Sequence, residues 1–437
     1  MVYSLQKKII RICQPISSMA DKIPSIIKKI AFYICINLII IQSWLISGGV
    51  LEQRYLTTYT IGCLLLATCV FCTMPIVMKE RTIQPFVTYI FVALGLSIII
   101  MEVINGRVDN IPEGVLITIA FPIIYFIWEN YGFIKVINLL VNAVCINFVI
   151  YFITCCFFFP IEASEPYAGL FENVNVTAFY LTLVFCSIMV QINFSLDKLK
   201  KQIIYIIMAS ICFILILYTS SRTGILACIC GFIVYTLLKI ISLRKTQRNI
   251  KKFLLCISII IICIIALTPI ILNVINLDLD TTENDRENNI EGIMDSNINK
   301  LQSEGKTLSQ YSSGRIDIWK EYLNEINFSG HDPDYRFFVE ARGTYNSTAH
   351  MTCLQVAYDS GVISGILYLI FNIVAGVIAV IRYIKEPTND IWLTIILFSI
   401  SFGVISMVAS VGMSYIYIIT LFYYLMQTPL FYKPGDE

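Results

Sequence analysis

Residues 253–275 of the chain read FLLCISIIIICIIALTPIILNVI and contain no charged side chain. About 20 apolar residues in a helix are enough to cross the roughly 30 Å hydrocarbon layer of a bilayer, so this stretch predicts a membrane-spanning helix. The whole chain has the same character: 57% of its 437 residues are hydrophobic and 14% are charged. A soluble domain usually has about 25% charged residues, so the composition excludes a soluble globular protein.

Similar apolar runs lie on both sides of this stretch, separated by charged positions. Such long runs favour helices over a β-barrel, whose strands are short and alternating. The sequence therefore predicts an all-α fold, a polytopic membrane helical bundle with about 12 transmembrane helices. The predicted spans are residues 31–49, 55–78, 83–104, 114–128, 134–159, 174–194, 202–219, 223–243, 253–275, 354–381, 391–409 and 413–431.

The loops between these spans differ in positive charge. With the N-terminus in the cytoplasm, the short outer loops hold only Arg54, Arg107 and Arg222. The inner segments hold most other cations, the pattern expected of cytoplasmic loops. These are Lys7, Lys8, Arg11, Lys22, Lys28, Lys29, Lys79, Arg81, Lys135, Lys198, Lys200, Lys201, Arg244, Lys245, Arg248, Lys251, Lys252, Arg382, Lys385 and Lys433. We therefore expect a multi-pass protein of the cytoplasmic membrane with both termini in the cytoplasm.

This topology divides the chain into four regions. Residues 1–30 form a basic amphipathic cytoplasmic lead, and residues 31–275 contain spans one to nine. The first span is longer than the apolar part of a signal peptide and lacks a small-residue cleavage site, so we expect it to be retained. Residues 276–353 form one large extracytoplasmic loop between spans nine and ten, and residues 354–437 contain the last three spans. The net charge of +1 gives no reason to expect a nucleic-acid partner.

The large loop is the expected location of the function, because a polar connection of this length inside a helical bundle usually forms a lid or a functional site. A helical apolar pattern covers Gly314–Ile326 within it. We expect the helix to lie on the membrane or on the spans through a stripe formed by Ile316, Trp319, Tyr322, Leu323 and Ile326.

Three features on the predicted outer side carry candidate chemistry. Arg222 stands in a Ser-Arg-Thr-Gly turn at the start of a span, where it either binds an anion or extends its charge to the membrane surface. Arg315 follows Gly314 at the start of the loop helix, where backbone donors and a guanidinium suit a phosphate; the alternative is a solvated surface arginine. His350 precedes the tenth span and is either a general base near neutral pH or a solvated histidine.

Two arginines and one imidazole on the same side suit transfer from a diphosphate leaving group. A diphosphate already stabilises negative charge, and arginine forks can hold it where other enzymes use a metal. We expect no metal site and no cofactor. Most of the fifteen cysteines lie in apolar runs and behave as small hydrophobic residues, so a disulfide framework is not expected.

At these residues the sequence resembles the O-antigen ligase and polysaccharide polymerase superfamily. The resemblance is carried by the turn 221–224, by the Ser-Gly-Arg-Ile-x-x-Trp start of the loop helix at 313–319, and by Thr-Ala-His at 348–350 with Gln355, Gly361 and Gly365. Residues 169–175, GLFENVN, are similar to the entrance of a central span in that family. The first four spans contribute almost nothing to the resemblance.

The family implies a bacterial enzyme of the cytoplasmic membrane that uses an undecaprenyl-diphosphate-linked oligosaccharide at the outer face. Carried over to this chain, Arg222 and Arg315 would bind the diphosphate and His350 would activate the acceptor hydroxyl. Family members commonly have Asn directly after the histidine, where this chain has Met351; Asn346 is a candidate substitute. Membrane lipids, a chain-length regulator and a flippase are the further partners that the pathway implies.

Other polar residues are candidates for substrate binding. Asn173 and Asn175 suit sugar hydroxyls or helix capping, and Ser221 lies beside Arg222. Arg336 and Arg342 suit a secondary glycan or phosphate site, or are solvated charges. We expect a polysaccharide polymerase for a capsule, exopolysaccharide or O-antigen. The alternatives are a ligase, which moves finished glycan to another acceptor, and a transporter or flippase; the nearly uncharged span centres disfavour the latter.

Overall fold

The computed structural model describes residues 2–47, 56–159, 161, 166–195, 198–245, 250–275, 314–332, 335–340, 344–346, 348–411 and 418–433. Most of these residues are helical. The helices are α1 (Val2–Asp21), α2 (Ser25–Ser47), α3 (Leu56–Cys72), α4 (Pro85–Ile104), α5 (Ile111–Val115), α6 (Phe121–Tyr131), α7 (Phe133–Phe158), α8 (Val174–Phe194), α9 (Leu199–Tyr218), α10 (Arg222–Lys245), α11 (Ile250–Ile275), α12 (Arg315–Glu325), α13 (Thr352–Ser360), α14 (Val362–Lys385), α15 (Asp390–Val408) and α16 (Ile418–Met426).

Among the described residues, nine helices are long and apolar enough to cross a membrane. One of them, Ile111–Tyr131, consists of α5 and α6 joined by a single π-helical turn, Leu116–Ala120. The polytopic all-α bundle is thereby confirmed. Helices α3, α11 and α16 lie where the sequence predicts the other three spans, and the total of twelve stays a prediction.

One end of the bundle is covered by α1. The side chain of Gln6 exchanges two hydrogen bonds with the backbone of Arg81, at 3.0 and 3.1 Å. Residues 431–433 hydrogen-bond to residues 82–84 at the same end. We call this surface, formed by α1, residues 73–84 and residues 428–433, the basic face. The amphipathic lead predicted from its cations is thus a helix packed on the bundle.

The opposite end carries the residues with candidate chemistry. We call it the loop face and define it by residues 105–110, 166–173, 219–222, 314–332, 335–340, 344–346 and 348–350. Helix α8 runs from this face through the centre of the bundle. Of the residues in its apolar stretch, 89% are buried, against 33–56% in the other eight candidate spans. Residues attached to the start of α8 are therefore anchored to a helix that is buried along most of its length.

The predicted span 354–381 is interrupted, which corrects the sequence analysis. Helix α13 ends at Ser360 and α14 begins at Val362, with Gly361 between them at φ +86°. A side chain at Gly361 would collide with the carbonyl of Phe328, and the Val362 N–H donates to the Asn327 carbonyl over 3.0 Å. The helix breaks because the backbone of residues 326–330 occupies the space beside the turn.

Helix α12 is present where the sequence predicts it, but its buried stripe differs from the predicted one. Ile318 and Tyr322 are fully buried, whereas Leu323 is 58% exposed. The two buried side chains pack on Val339 and Ala349. The partners that decide which side of α12 is buried come from distant parts of the chain, so helical periodicity alone includes Tyr322 correctly but misses Ile318 and adds the exposed Leu323.

A short antiparallel hairpin lies beside α12 and adds a small β element to the all-α fold. It pairs β1 (Phe337–Val339) with β2 (Thr344–Asn346), with Phe338 opposite Tyr345. The predicted site residue Asn346 pairs with Phe337 through the backbone, while its side chain lies outside the described residues. Arg342 lies outside them entirely.

A buried ion pair fixes the loop segment to the bundle. Glu102, fully buried near the end of α4, lies 3.4 Å from the guanidinium of Arg107, whose side chain is 8% exposed. Arg107 also donates to the carbonyls of Ser329 at 3.2 Å and Asp359 at 3.4 Å, and to that of His331. The sequence predicts that Arg107 lies in an outer loop. The structure shows that its guanidinium holds residues 326–332 and the end of α13 to α4.

We predict that Arg107→Met lowers the stability of the protein by about 3–5 kcal/mol, because it removes the cation paired with the buried Glu102 carboxylate, which then keeps only its hydrogen bonds from Asn110. The thermal midpoint of the purified protein in detergent measures the effect. The double variant Glu102→Gln/Arg107→Met should recover part of the loss, and Lys245→Met, at an exposed position on α10, should have no effect. An unchanged midpoint for Arg107→Met would show that this ion pair does not anchor the loop.

Candidate active site at the starts of helices α8, α10 and α12

Three non-glycine residues adopt a positive φ in the described part of the chain, and all three lie on the loop face. They are Glu172 at +54°, Ser220 at +51° and His350 at +51°. Each stands within a predicted motif or directly beside one. A backbone held in this region costs about 1–3 kcal/mol, and such residues cluster at functional sites. The backbone geometry therefore identifies the same segments as the motifs do.

The first segment is the start of α8. The side-chain oxygen of Asn173 accepts hydrogen bonds from the N–H groups of Asn175 at 2.9 Å and Val176 at 3.3 Å. Asn173 is thus the N-cap of α8 and satisfies two N–H groups that have no partner inside the helix. Of the two readings left open by the sequence, the structure shows capping for this oxygen.

The second segment is the start of α10. The buried hydroxyl of Ser221 donates to the side-chain oxygen of Asn175 over 2.8 Å and accepts from the N–H of Gly224 at 3.3 Å. Ser221 therefore caps α10 and joins it to α8. A side chain at Gly224 would collide with Ala178, so the glycine is needed for the two helices to meet this closely.

The third segment is the start of α12. The guanidinium of Arg315 donates to the hydroxyl of Thr223 over 3.5 Å. Thr223 is buried, whereas its neighbour Arg222 is exposed on the loop face. The structure therefore brings the two arginine-bearing helix starts together. The sequence did not single out Thr223 by itself, because its role depends on a contact across 92 positions.

The fourth segment contains His350, which is half-buried. The preceding residue, Ala349, is fully buried in the same apolar cluster as Ile318, which lies one turn after Arg315 on α12. The Ala349 N–H donates to the side-chain oxygen of Gln355 over 2.7 Å. The backbone that carries the imidazole is thus held against the helix that begins with Arg315.

Gln355 extends this support to the end of α13. Its side-chain amide donates to the carboxylate of Asp359 over 2.9 Å. Asp359 and His350 are nine positions apart on the chain. The structure connects them indirectly, since Gln355 bonds both to Asp359 and to the backbone next to His350. No local sequence signal could have identified this connection.

The other histidine of the chain, His331, has a different environment. Its ring stacks on Tyr335 and Tyr358, with centroids 4.8 and 4.3 Å away. Its Nδ1 lies 3.2 Å from the Tyr358 carbonyl, and its Nε2 lies 3.2 Å from the amide nitrogen of Asn327. Both ring nitrogens are engaged, which indicates a structural role for His331.

The other predicted or neighbouring residues have their own environments. Arg336 is exposed before β1 and donates to the carbonyl of Tyr335 over 3.0 Å. Met351, which stands where the family has Asn, is the N-cap residue of α13 and makes no capping bond with its side chain. Burial raises the pKa of the Tyr322 phenol.

Two helix starts on the loop face carry an arginine each, and the first turn of α12 also contains Asp317. The starts of α10 and α12 both point N–H groups and positive dipole ends toward the loop face, next to Arg222 and Arg315. Within the described residues, no group of three or more His, Cys, Asp or Glu side chains is placed to hold a metal ion.

Comparison with known proteins adds one finding. Residues 207–369 match the family model described as O-antigen ligase. The matched range begins in α9, ends in α14, and contains Arg222, Arg315 and His350. It confirms the resemblance to the O-antigen ligase and polysaccharide polymerase superfamily. No curated protein and no solved structure matches the chain.

Proposed function

With an O-antigen ligase domain identified at residues 207–369, we propose that this membrane protein is a polysaccharide polymerase. It transfers a glycan from an undecaprenyl-diphosphate-linked donor to a sugar hydroxyl of a lipid-linked repeat unit, at the outer face of the bacterial cytoplasmic membrane. The product is a capsule, an exopolysaccharide or an O-antigen. A chain-length regulator and a flippase are its partners in that pathway.

The contact between Arg315 and Thr223 carries this proposal. It joins the start of α12, in the long polar segment, to the start of α10, in the bundle. Two guanidinium-bearing helix starts at one corner suit a diphosphate, whose two phosphoryl groups need several donors with fixed directions. The alternatives were that Arg222 extends its charge to the membrane surface and that Arg315 is a solvated surface residue. Neither alternative requires the starts of α10 and α12 to be in contact.

The proposed reaction is a single displacement that needs no metal. His350 removes the proton from the acceptor hydroxyl, and the oxygen attacks the anomeric carbon of the donor sugar. The bond from that carbon to the diphosphate oxygen breaks, and its electron pair leaves with the lipid diphosphate. Arg222 and Arg315 stabilise the charge that develops there. With one base and no nucleophilic side chain, the anomeric configuration inverts.

The structure supports separate functions for the neighbouring polar residues. Asn173 and Ser221 use their side chains as caps, so we propose that they position Asn175 and Arg222 instead of binding sugar directly. His350 takes the general-base role because His331 is held by stacking and by hydrogen bonds at both ring nitrogens.

A transporter would place ionisable residues near the middle of its spans. In the nine candidate spans these residues stand toward the helix ends, as Glu102, Lys239, Arg382 and Asp390 do. Lys239 and Asp390 form an ion pair at 2.6 Å on the basic side of the bundle. This distribution favours an enzyme at the membrane surface over a transport path.

The first prediction about function distinguishes a polymerase from a ligase. Purified protein given only its lipid-linked repeat unit, as both donor and acceptor, should produce longer lipid-linked glycans, detected by gel electrophoresis or mass spectrometry. The polymerase proposal requires no foreign acceptor. Product formation that depends strictly on added lipid A core or protein would instead establish a ligase.

The second prediction concerns His350. His350→Ala should lower turnover by about 100- to 10,000-fold, the usual contribution of a general base, while the protein remains in the membrane. His331→Gln is the matched control: it should reduce thermal stability but leave turnover per folded molecule unchanged. Wild-type amounts of long glycan from His350→Ala would remove the imidazole from the mechanism.

The third prediction concerns the arginines. Arg222→Lys and Arg315→Lys each keep the charge but lose the two-pronged fork, so each should lower turnover by about 10- to 100-fold. Arg244→Lys, at the other end of α10, provides a control that changes the same side chain on the basic side. Normal kinetics for Arg222→Lys would mean that Arg222 only anchors the helix at the membrane surface.

A further inference from the structure

The hairpin beside α12 exposes two aromatic rings that take no part in the proposed reaction. Phe338 and Tyr345 stand directly opposite each other on β1 and β2 and are 48% and 71% exposed. Their ring centroids lie 5.4 Å apart with planes at 74°, an edge-to-face arrangement. Such a pair leaves flat aromatic surface facing outward from the hairpin.

The opposite face of the same hairpin is part of the site's support. Phe337 lies against Tyr322 of α12, with centroids 4.8 Å apart, and Val339 is fully buried in the cluster that includes Ala349. Because side chains alternate along a strand, residue 338 must point away from this cluster. The exposed aromatic face is therefore continuous with the structure that holds the backbone of His350.

Charged groups border this aromatic face. Arg336 and Glu340, at the two ends of β1, are both exposed. The backbone N–H of Glu340 is held by the carboxylate of Glu321 on α12 at 2.9 Å. Placing such charges in the hydrocarbon layer is costly, so the chemistry disfavours insertion of the hairpin among lipid chains. Flat rings bordered by hydrogen-bonding groups instead match a sugar, which has an apolar C–H face and polar hydroxyl edges.

We infer that the outward face of this hairpin, Phe338 and Tyr345, is a glycan-binding subsite. It stacks a pyranose ring of the lipid-linked glycan against an aromatic ring, while Arg336 and Glu340 hydrogen-bond to hydroxyl groups. This inference rests on the proposed function, because it names a place for the glycan that the reaction uses. It also gives Arg336, which is not part of the proposed diphosphate site of Arg222 and Arg315, a role in sugar binding.

The test uses substitutions that separate ring stacking from general apolar contact. Isoleucine keeps strand propensity and apolar surface but has no flat face, whereas tryptophan keeps the flat face. In the full-length His350→Gln protein, which binds without turnover, Phe338→Ile and Tyr345→Ile should each weaken binding of the lipid-linked repeat unit by about three- to tenfold. Tyr345→Trp should bind at least as well as the parent protein.

The same substitutions in the active protein should raise KM for the repeat unit by similar factors and leave kcat unchanged. Phe328→Ile is the matched control, because Phe328 is an aromatic residue 62% exposed elsewhere on the loop face. Isoleucine variants that bind like the parent would overturn the subsite. Phe338→Ala and Tyr345→Ala remove the apolar surface as well as the ring. An effect of these alanine variants without an effect of the isoleucine variants would assign the pair to lipid or protein contact. Failure of the unmodified protein to elongate the repeat unit would instead overturn the proposed function.

Discussion

The arrangement of the loop face depends on one buried carboxylate. Glu102 has no exposure to solvent and pairs with Arg107, whose guanidinium then donates to three backbone carbonyls of the long polar segment and of α13. The segment that it holds, residues 326–332, lies against Gly361 and ends α13 there. Because α13 folds back at this point, its start can lie beside α12 and present His350. An interaction inside the bundle thus determines the position of a residue outside it.

The spans and the loop helix could be predicted from the sequence, because both depend on local properties. Apolar length determines a membrane helix, and apolar spacing identifies α12. The break at Gly361, the hairpin and the buried stripe of α12 could not be predicted in this way. Each depends on a partner distant in the chain: the Phe328 carbonyl for the glycine, and Val339 and Ala349 for Ile318. A pattern within one helix contains no information about such partners.

In the candidate site, too, residue types could be predicted from the sequence, whereas contacts between distant segments could not. Arg222, Arg315 and His350 could be selected from residue type and predicted side of the membrane. The structure then brings the two arginine-bearing segments into contact through Thr223, which the sequence did not single out. Gln355 belongs to the stretch that carries the resemblance, but its hydrogen bonds to Asp359 and from the backbone beside His350 could not be predicted. Asn173 and Ser221 are candidate substrate-binding residues in the sequence, and the structure shows their side chains capping α8 and α10.

The two arginines of the proposed diphosphate site are held in place by different parts of the fold. Arg222 begins a helix joined to α8, the most buried of the nine candidate spans, through Ser221 and Asn175. Arg315 begins a helix held by the hairpin and α13, which depend in turn on Arg107. The hydrogen bond between Arg315 and Thr223, at 3.5 Å, is a long one. A diphosphate bound to both guanidinium groups would add stronger, charge-assisted bonds across this junction. Under the proposed function, the donor would therefore tighten the contact between bundle and loop, and it would do so when the hydroxyl and the base must be correctly placed.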